Sequence, residues 1–136
     1  MLKLILNKKY NPLFSSDARY FIITGGRGSG KSFAVTVFLT LLTMTKGIRI
    51  LFTRFTMTSA HLSIIPEFLE KIGLLGFDDV FSINKAEVVN TSNQSDILFR
   101  GIRTSAGNQT ASLKSLQGIS TWVLDEAEEL IDEDIF

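Results

Sequence analysis

Apolar residues along this chain gather in short unbroken runs rather than in strict alternation with polar ones. Tyr20-Phe21-Ile22-Ile23-Thr24 and Ile48-Arg49-Ile50-Leu51-Phe52-Thr53 are each about one strand long, and each predicts a buried strand. Between them, residues 33–44 carry no Gly, Pro or charge, which predicts a helix ended by Lys46-Gly47. Thr36, Thr40 and Thr43 form the only polar stripe of that helix, so it is expected to be covered on most sides. Strand, helix and strand together make a β-α-β unit. Residues 59–72 read as helix in two pieces, because Pro66 forces a kink or a restart. Residues 80–89 and 96–102 are β-rich runs joined by Thr91-Ser92-Asn93-Gln94, which predicts a hairpin. Residues 104–112 are polar, have no apolar periodicity and predict a loop. A last run, Ile119-Ser120-Thr121-Trp122-Val123-Leu124, predicts a buried parallel strand leading into Asp125-Glu126.

The first strand and the first helix flank Gly25-Gly26-Arg27-Gly28-Ser29-Gly30-Lys31-Ser32, which fits the phosphate-binding pattern G-x-x-x-x-G-K-[ST]. The order matters chemically. Glycines let backbone N–H groups wrap a phosphate, and the following helix N-terminus adds positive dipole at the same point. In that pattern Lys31 reaches the outer phosphates of a nucleoside triphosphate such as ATP, and the Ser32 hydroxyl holds Mg²⁺. Asp125 is expected to be a further Mg²⁺ ligand acting through water, at a strand end. Glu126 is expected to be the general base or the group that orients the attacking water. The plainer reading of the two acids is the solvated first turn of a helix over residues 126–131.

Composition narrows the class. One domain fits 136 residues, and 45% hydrophobic content with eleven Phe excludes a disordered chain. With no cysteine, a disulfide frame and a thiolate metal site are both excluded. The single histidine, His61, leaves no zinc cluster. The opening Met1-Leu2-Lys3-Leu4-Ile5-Leu6 is too short for a secretory signal. The longest apolar stretch, residues 33–44, falls well short of the ~20 residues of a membrane span. An intracellular soluble protein with no membrane partner is expected. Fourteen basic and fourteen acidic residues cancel, yet seven of the acids lie in the last twelve positions. The first 124 residues therefore carry fourteen basic against seven acidic groups, an excess of +7 that suits a polyanion.

Several segments resemble the N-terminal ATPase region of bacteriophage terminase large subunits, the motors that package DNA. Tyr10-Asn11-Pro12-Leu13, then Arg19-Tyr20 leading into the glycine-rich loop, is similar to the family's opening. An arginine inside the loop, here Arg27, is a habit of these motors. Thr53-Arg54 before a Ser/Thr-rich turn, and Ile97-Leu98-Phe99-Arg100-Gly101-Ile102, resemble two further family strands. Leu113-Lys114-Ser115-Leu116-Gln117-Gly118-Ile119, continuing into Leu124-Asp125-Glu126-Ala127-Glu128-Glu129-Leu130, resembles the segment through the catalytic carboxylates.

The resemblance implies an α/β P-loop NTPase fold of the additional-strand type, a mainly parallel sheet flanked by helices with a β-hairpin insertion. Residues 1–136 would be a partial ATPase domain, incomplete at the C-terminus. The family's further strand, inserted between the loop strand and the carboxylate strand, is expected beyond Phe136, as is its nuclease domain. Without that strand, residues 20–24 and 121–124 either pair directly or leave a gap. No nuclease activity is expected from this chain, and weak ATPase activity when it is isolated.

By the same resemblance, Glu126, Lys31 and Arg27 are catalytic, with Arg27 sensing the γ-phosphate or acting as a cis finger. Gly25, Gly26, Arg27, Gly28, Ser29, Gly30, Lys31 and Ser32 bind ATP, and Ser32 and Asp125 serve Mg²⁺. Arg54, Arg100 and Arg103 are candidates for a finger reaching a neighbouring subunit, or are plain surface arginines. Residues 10–13 and Arg19 are candidates to pack on the base. Implied partners are double-stranded DNA, a portal protein, a small terminase subunit and other copies in a ring, in the cytoplasm of a bacterial host. Two other readings stay open: another P-loop ATPase such as a helicase, and a non-catalytic fragment that binds nucleotide or subunits.

Overall fold

A computed structural model describes residues 6–45, 47–55, 63–84, 86–102 and 116–127. The fold is mixed α/β. A 3-10 turn, Lys8–Tyr10, leads into a one-turn helix α1 (Pro12–Ser15), followed by α2 (Lys31–Leu42), β1 (Arg49–Arg54) and α3 (Ile65–Leu74). The remaining elements are β2 (Phe81–Ile83), β3 (Glu87–Asn90), β4 (Asp96–Gly101) and β5 (Thr121–Leu124). The sheet order is β2-β3-β4-β1-β5. β1 lies between two parallel neighbours, with Phe52 opposite Phe99 of β4 and opposite Val123 of β5. β2, β3 and β4 form an antiparallel meander.

Alternation along the strands turns Ile50 and Phe52 of β1, Val88 of β3, and Ile97 and Phe99 of β4 into one core. Leu39 of α2 and Ile65, Phe68 and Ile72 of α3 close over it. Phe52, Phe68 and Phe99 meet at centroid separations of 5.5–6.0 Å, with Phe68 edge-on to both others. Helix α2 starts two residues earlier than the apolar run implied, because Gly30 takes a left-handed conformation as its N-cap (φ 78°). Its threonine stripe is buried as expected: Thr40 Oγ1 donates to the Thr36 carbonyl at 2.8 Å, and Thr43 Oγ1 to that of Thr40 at 2.6 Å. Those backbone bonds spare the hydroxyls any other partner. Pro66 lies in the first turn of α3, where its missing N–H costs nothing, and residues 63–64 just before α3 are already in a π-helical turn.

The hairpin through residues 91–94 forms, and its first run divides further. Asn84 breaks it: Oδ1 accepts the N–H groups of Ala86 at 2.8 Å and Glu87 at 3.0 Å, turning β2 into β3. The hairpin also serves as a cap. Buried Asn90 and half-buried Asn93 each donate to the Thr43 carbonyl, at 3.1 and 3.0 Å, and Ser95 Oγ donates to that of Thr45 at 2.7 Å. These bonds satisfy carbonyls left orphaned at the end of α2.

One expected strand is missing. Residues 20–24 form no regular element and are unpaired, with Ile22 93% and Tyr20 81% exposed. A strand exists through its ladder, and among the described residues none is aligned with this segment. Residues 20–24 and β5 do not pair directly. β5 forms, but among the described residues it is an open edge of the sheet rather than a buried strand, with Trp122 58% exposed. The opening residues 1–5, His61 with the first piece of the 59–72 helix, Arg103, the loop 104–112 and the acidic end beyond residue 127 lie outside the described residues. No helix among the described residues is long and apolar enough to cross a membrane.

Candidate functional site

The glycine-rich loop sits between the unpaired residues 20–24 and the first turn of α2. Gly28 and Gly30 both adopt φ near +77°, a conformation open to glycine and strained for other residues. At Gly25 space is short as well, since a Cβ there would stand 2.8 Å from Ser29 Oγ. Ser29 Oγ is buried and, in this structure, has no hydrogen-bond partner. A buried hydroxyl left without a partner inside a glycine-rich loop is what a ligand-binding cradle presents. No side chain caps α2, so its first N–H groups face the loop. Lys31 Nζ donates to the Gly25 carbonyl at 3.1 Å, folding the ammonium over the loop. Arg27 is exposed on the loop turn.

A second set of groups arrives from the sheet. β1 and β5 run parallel, so Arg54 and Asp125 leave it at the same end, and the Asp125 N–H donates to the Thr53 carbonyl at 2.9 Å. A narrow cavity of about 30 Å³ is lined by Lys31, Ser32, Val35, Thr36, Phe52, Ile64, Glu67 and Asp125. It unites one end of the loop with the carboxylate at the strand end, which lie far apart in sequence. Glu126 is exposed beyond it and takes φ 52°, unusual for a residue that is not glycine.

Two members of this constellation were not read from the sequence in their observed roles. Glu67 carried no signal in the sequence, yet α3 turns it into the cavity with Asp125. Burial pushes its carboxyl above the usual range; Lys71 counters this, and the Asp125 charge reinforces it. Arg54, a candidate finger for a neighbour, instead points inward. Its Nε donates to Asp125 Oδ2 at 2.6 Å, and Nη2 lies 3.3 Å from Glu126 Oε1. Arg100 Nη1 donates to the Phe99 carbonyl at 2.8 Å.

Behind the loop is a larger cavity of about 290 Å³, lined by Lys9, Tyr10, Pro12, Leu13 and residues 21–24. Tyr10 does more than line it: its hydroxyl donates to the Ser29 carbonyl at 2.9 Å, fastening the N-terminal turn to the loop. Arg19 does not line this cavity and lies over the Tyr20 ring at 5.8 Å.

The sequence profile of the phage terminase large subunit family matches residues 17–136. The chain belongs to that family. No curated protein matches it. The match begins just before the glycine-rich loop and includes Asp125 and Glu126, so both sets of groups described above fall inside it. The terminase segment at 113–115 and the acids after residue 127 lie outside the described residues.

The residues present fit Mg²⁺ carried in with a nucleotide. Ser32 and Asp125 share the cavity with Lys31, while the described residues hold no cluster of three or more His, Cys, Asp or Glu able to bind a metal alone. Mg²⁺ is held chiefly by phosphate oxygens and water, with one or two protein groups.

Proposed function

We propose that this chain is the ATP-binding, P-loop part of a DNA-packaging motor. The observation that carries the reading is the meeting of Lys31, Ser32 and Asp125 in one cavity at the N-terminus of α2. The terminase family supplies the wider role in DNA packaging. In this reading Gly25, Gly26, Gly28, Ser29 and Gly30 present backbone N–H groups to the phosphates, and Lys31 turns from the Gly25 carbonyl toward them. Ser32 and Asp125 hold Mg²⁺, which neutralises charge on the phosphates when bound. Glu126 orients water or takes its proton, and Arg27, free of the loop's interior, senses the γ-phosphate. The 290 Å³ cavity, with Tyr10 and Leu13 in its wall, takes the base. Double-stranded DNA, a portal, a small subunit and a ring of copies in the host cytoplasm are the surroundings that family membership supports.

A second reading, binding without efficient turnover in the isolated chain, rests on the open edge of β5 and the unpaired residues 20–24. Phosphoryl transfer depends on holding its groups within about 0.5 Å, and the loop is fastened to the sheet side by no ladder of its own. An additional strand between residues 20–24 and β5 would supply that ladder.

The test separates binding from chemistry. In the intact motor subunit, Glu126→Gln is expected to bind ATP as wild type does and to release phosphate at least about a hundredfold more slowly. A wild-type rate in that variant would place the base elsewhere. The isolated chain is expected to bind ATP weakly and turn it over far below the intact subunit; comparable turnover, lost with Lys31→Ala, would show the extra strand dispensable.

A further inference from the structure

Arg54 is the last residue of β1, and its side chain is only 10% exposed. An arginine is rarely buried to that degree without paired partners, and here the partners are specific. Nε donates to Asp125 Oδ2 at 2.6 Å, Nη1 donates to Ser63 Oγ at 2.9 Å, and Nη2 stands 3.3 Å from Glu126 Oε1. The backbone on which it stands is fixed from both sides. The Ile102 N–H donates to the Arg54 carbonyl at 2.8 Å, and β5 holds Thr53 in register with Leu124. One rigid guanidinium therefore faces both neighbouring acids and ties them to Ser63, just ahead of α3.

The contacts are unequal in a way that carries chemistry. The bond to Asp125 is short and charge-assisted, whereas that to the more exposed Glu126 is a longer ion pair. Without a cation beside them, two adjacent carboxylates and the nearby Glu67 would repel one another, and Arg54 offsets that repulsion. A carboxylate offers about four acceptor sites, so the Arg54 bond leaves Asp125 with capacity for a hydrated cation while removing its rotational freedom. A planar fork does this better than a flexible ammonium.

We propose that Arg54 is the positioning residue of the carboxylate pair: it orients Asp125 toward nucleotide-bound Mg²⁺ and neutralises Glu126 beside it, acting within its own chain. This rests on the reading of the cavity as an ATP–Mg²⁺ site.

The test measures the affinity of the chain for a fluorescent ATP analogue by anisotropy, once in Mg²⁺ and once in EDTA. The dissociation constant in EDTA divided by that in Mg²⁺ isolates the contribution of the metal. Arg54→Gln is expected to lower that ratio at least about fivefold while affinity in EDTA stays within about twofold. Arg54→Lys should fall between Arg54→Gln and wild type, because an ammonium still reaches Asp125 but cannot fork. A purely structural role would weaken both conditions together and leave the ratio unchanged. A wild-type ratio in Arg54→Gln overturns the proposal. Should circular dichroism find that variant unfolded, Arg54→Lys decides, and a wild-type ratio there overturns the proposal equally. If the wild-type chain binds the analogue in neither condition, the ATP–Mg²⁺ reading falls and the proposal falls with it.

Discussion

The two flanks of β1 are built very differently. On the β4 side every strand is paired, and Ile97, Phe99 and Val88 are fully buried beneath α2 and α3. On the β5 side the sheet ends after one short strand, Trp122 is more than half exposed, and the apolar residues 20–22 lie open. Both flanks are equally apolar in sequence; what separates them is a partner for the backbone. The β4 flank stabilises the fold, while the β5 flank carries the candidate site at its end. Residues 20–24 hold to the body chiefly through Ile23, which packs with Tyr10, Leu13 and Ala34.

That contrast can be broken first at its stable side. Phe68→Ala removes the edge-on partner of Phe52 and Phe99 and is expected to cost about 3–5 kcal/mol in a denaturant melt. A loss below about 1 kcal/mol would mean the core sits elsewhere. Asn90→Ala comes next. It strips the Thr43 carbonyl of one donor and frees Ser92 from Asn90 Oδ1, with an expected loss of about 1–3 kcal/mol.

Glu67→Gln should have a smaller effect, and one of opposite sign. Because burial raises its carboxyl, the folded protein favours the protonated form. Wild-type stability from this group is therefore present below about pH 4 and lost as pH rises through the folded value. The variant is expected to melt slightly higher than wild type at pH 7 and equal to it near pH 4. A lower melting temperature at pH 7 would show that the charge of Glu67 is stabilising instead. Smallest of all, Ile22→Ser should change stability by less than about 0.5 kcal/mol while raising the soluble fraction on concentration. A large destabilisation would show that residues 20–24 are paired in solution.

Most of what sequence could reveal was local. The glycine-rich loop, α2, β1, the hairpin and the strand before Asp125 follow from short-range patterns, and the structure has them. The run at residues 20–24 carries the same signal as β1 and still forms no strand, because pairing is a property of neighbours and not of the segment. Asn93 was legible only as a turn residue, and Asn90 and Ser95 beside it carried no signal; their bonds to the end of α2 join segments distant in sequence. Arg54 was visible as a charged strand end near the phosphate side, but its direction was not. Only the parallel register with β5 sets Asp125 and Glu126 before it.

The central claim is that the loop at Gly25–Ser32 and the strand end at Asp125 form one nucleotide site. Titration of a fluorescent ATP analogue with Mg²⁺ into wild type, Lys31→Ala and Asp125→Ala tests it most directly. The account predicts that Lys31→Ala loses binding severely, and that Asp125→Ala loses the enhancement by Mg²⁺ while keeping wild-type affinity in EDTA. Unchanged affinity in Lys31→Ala would contradict it.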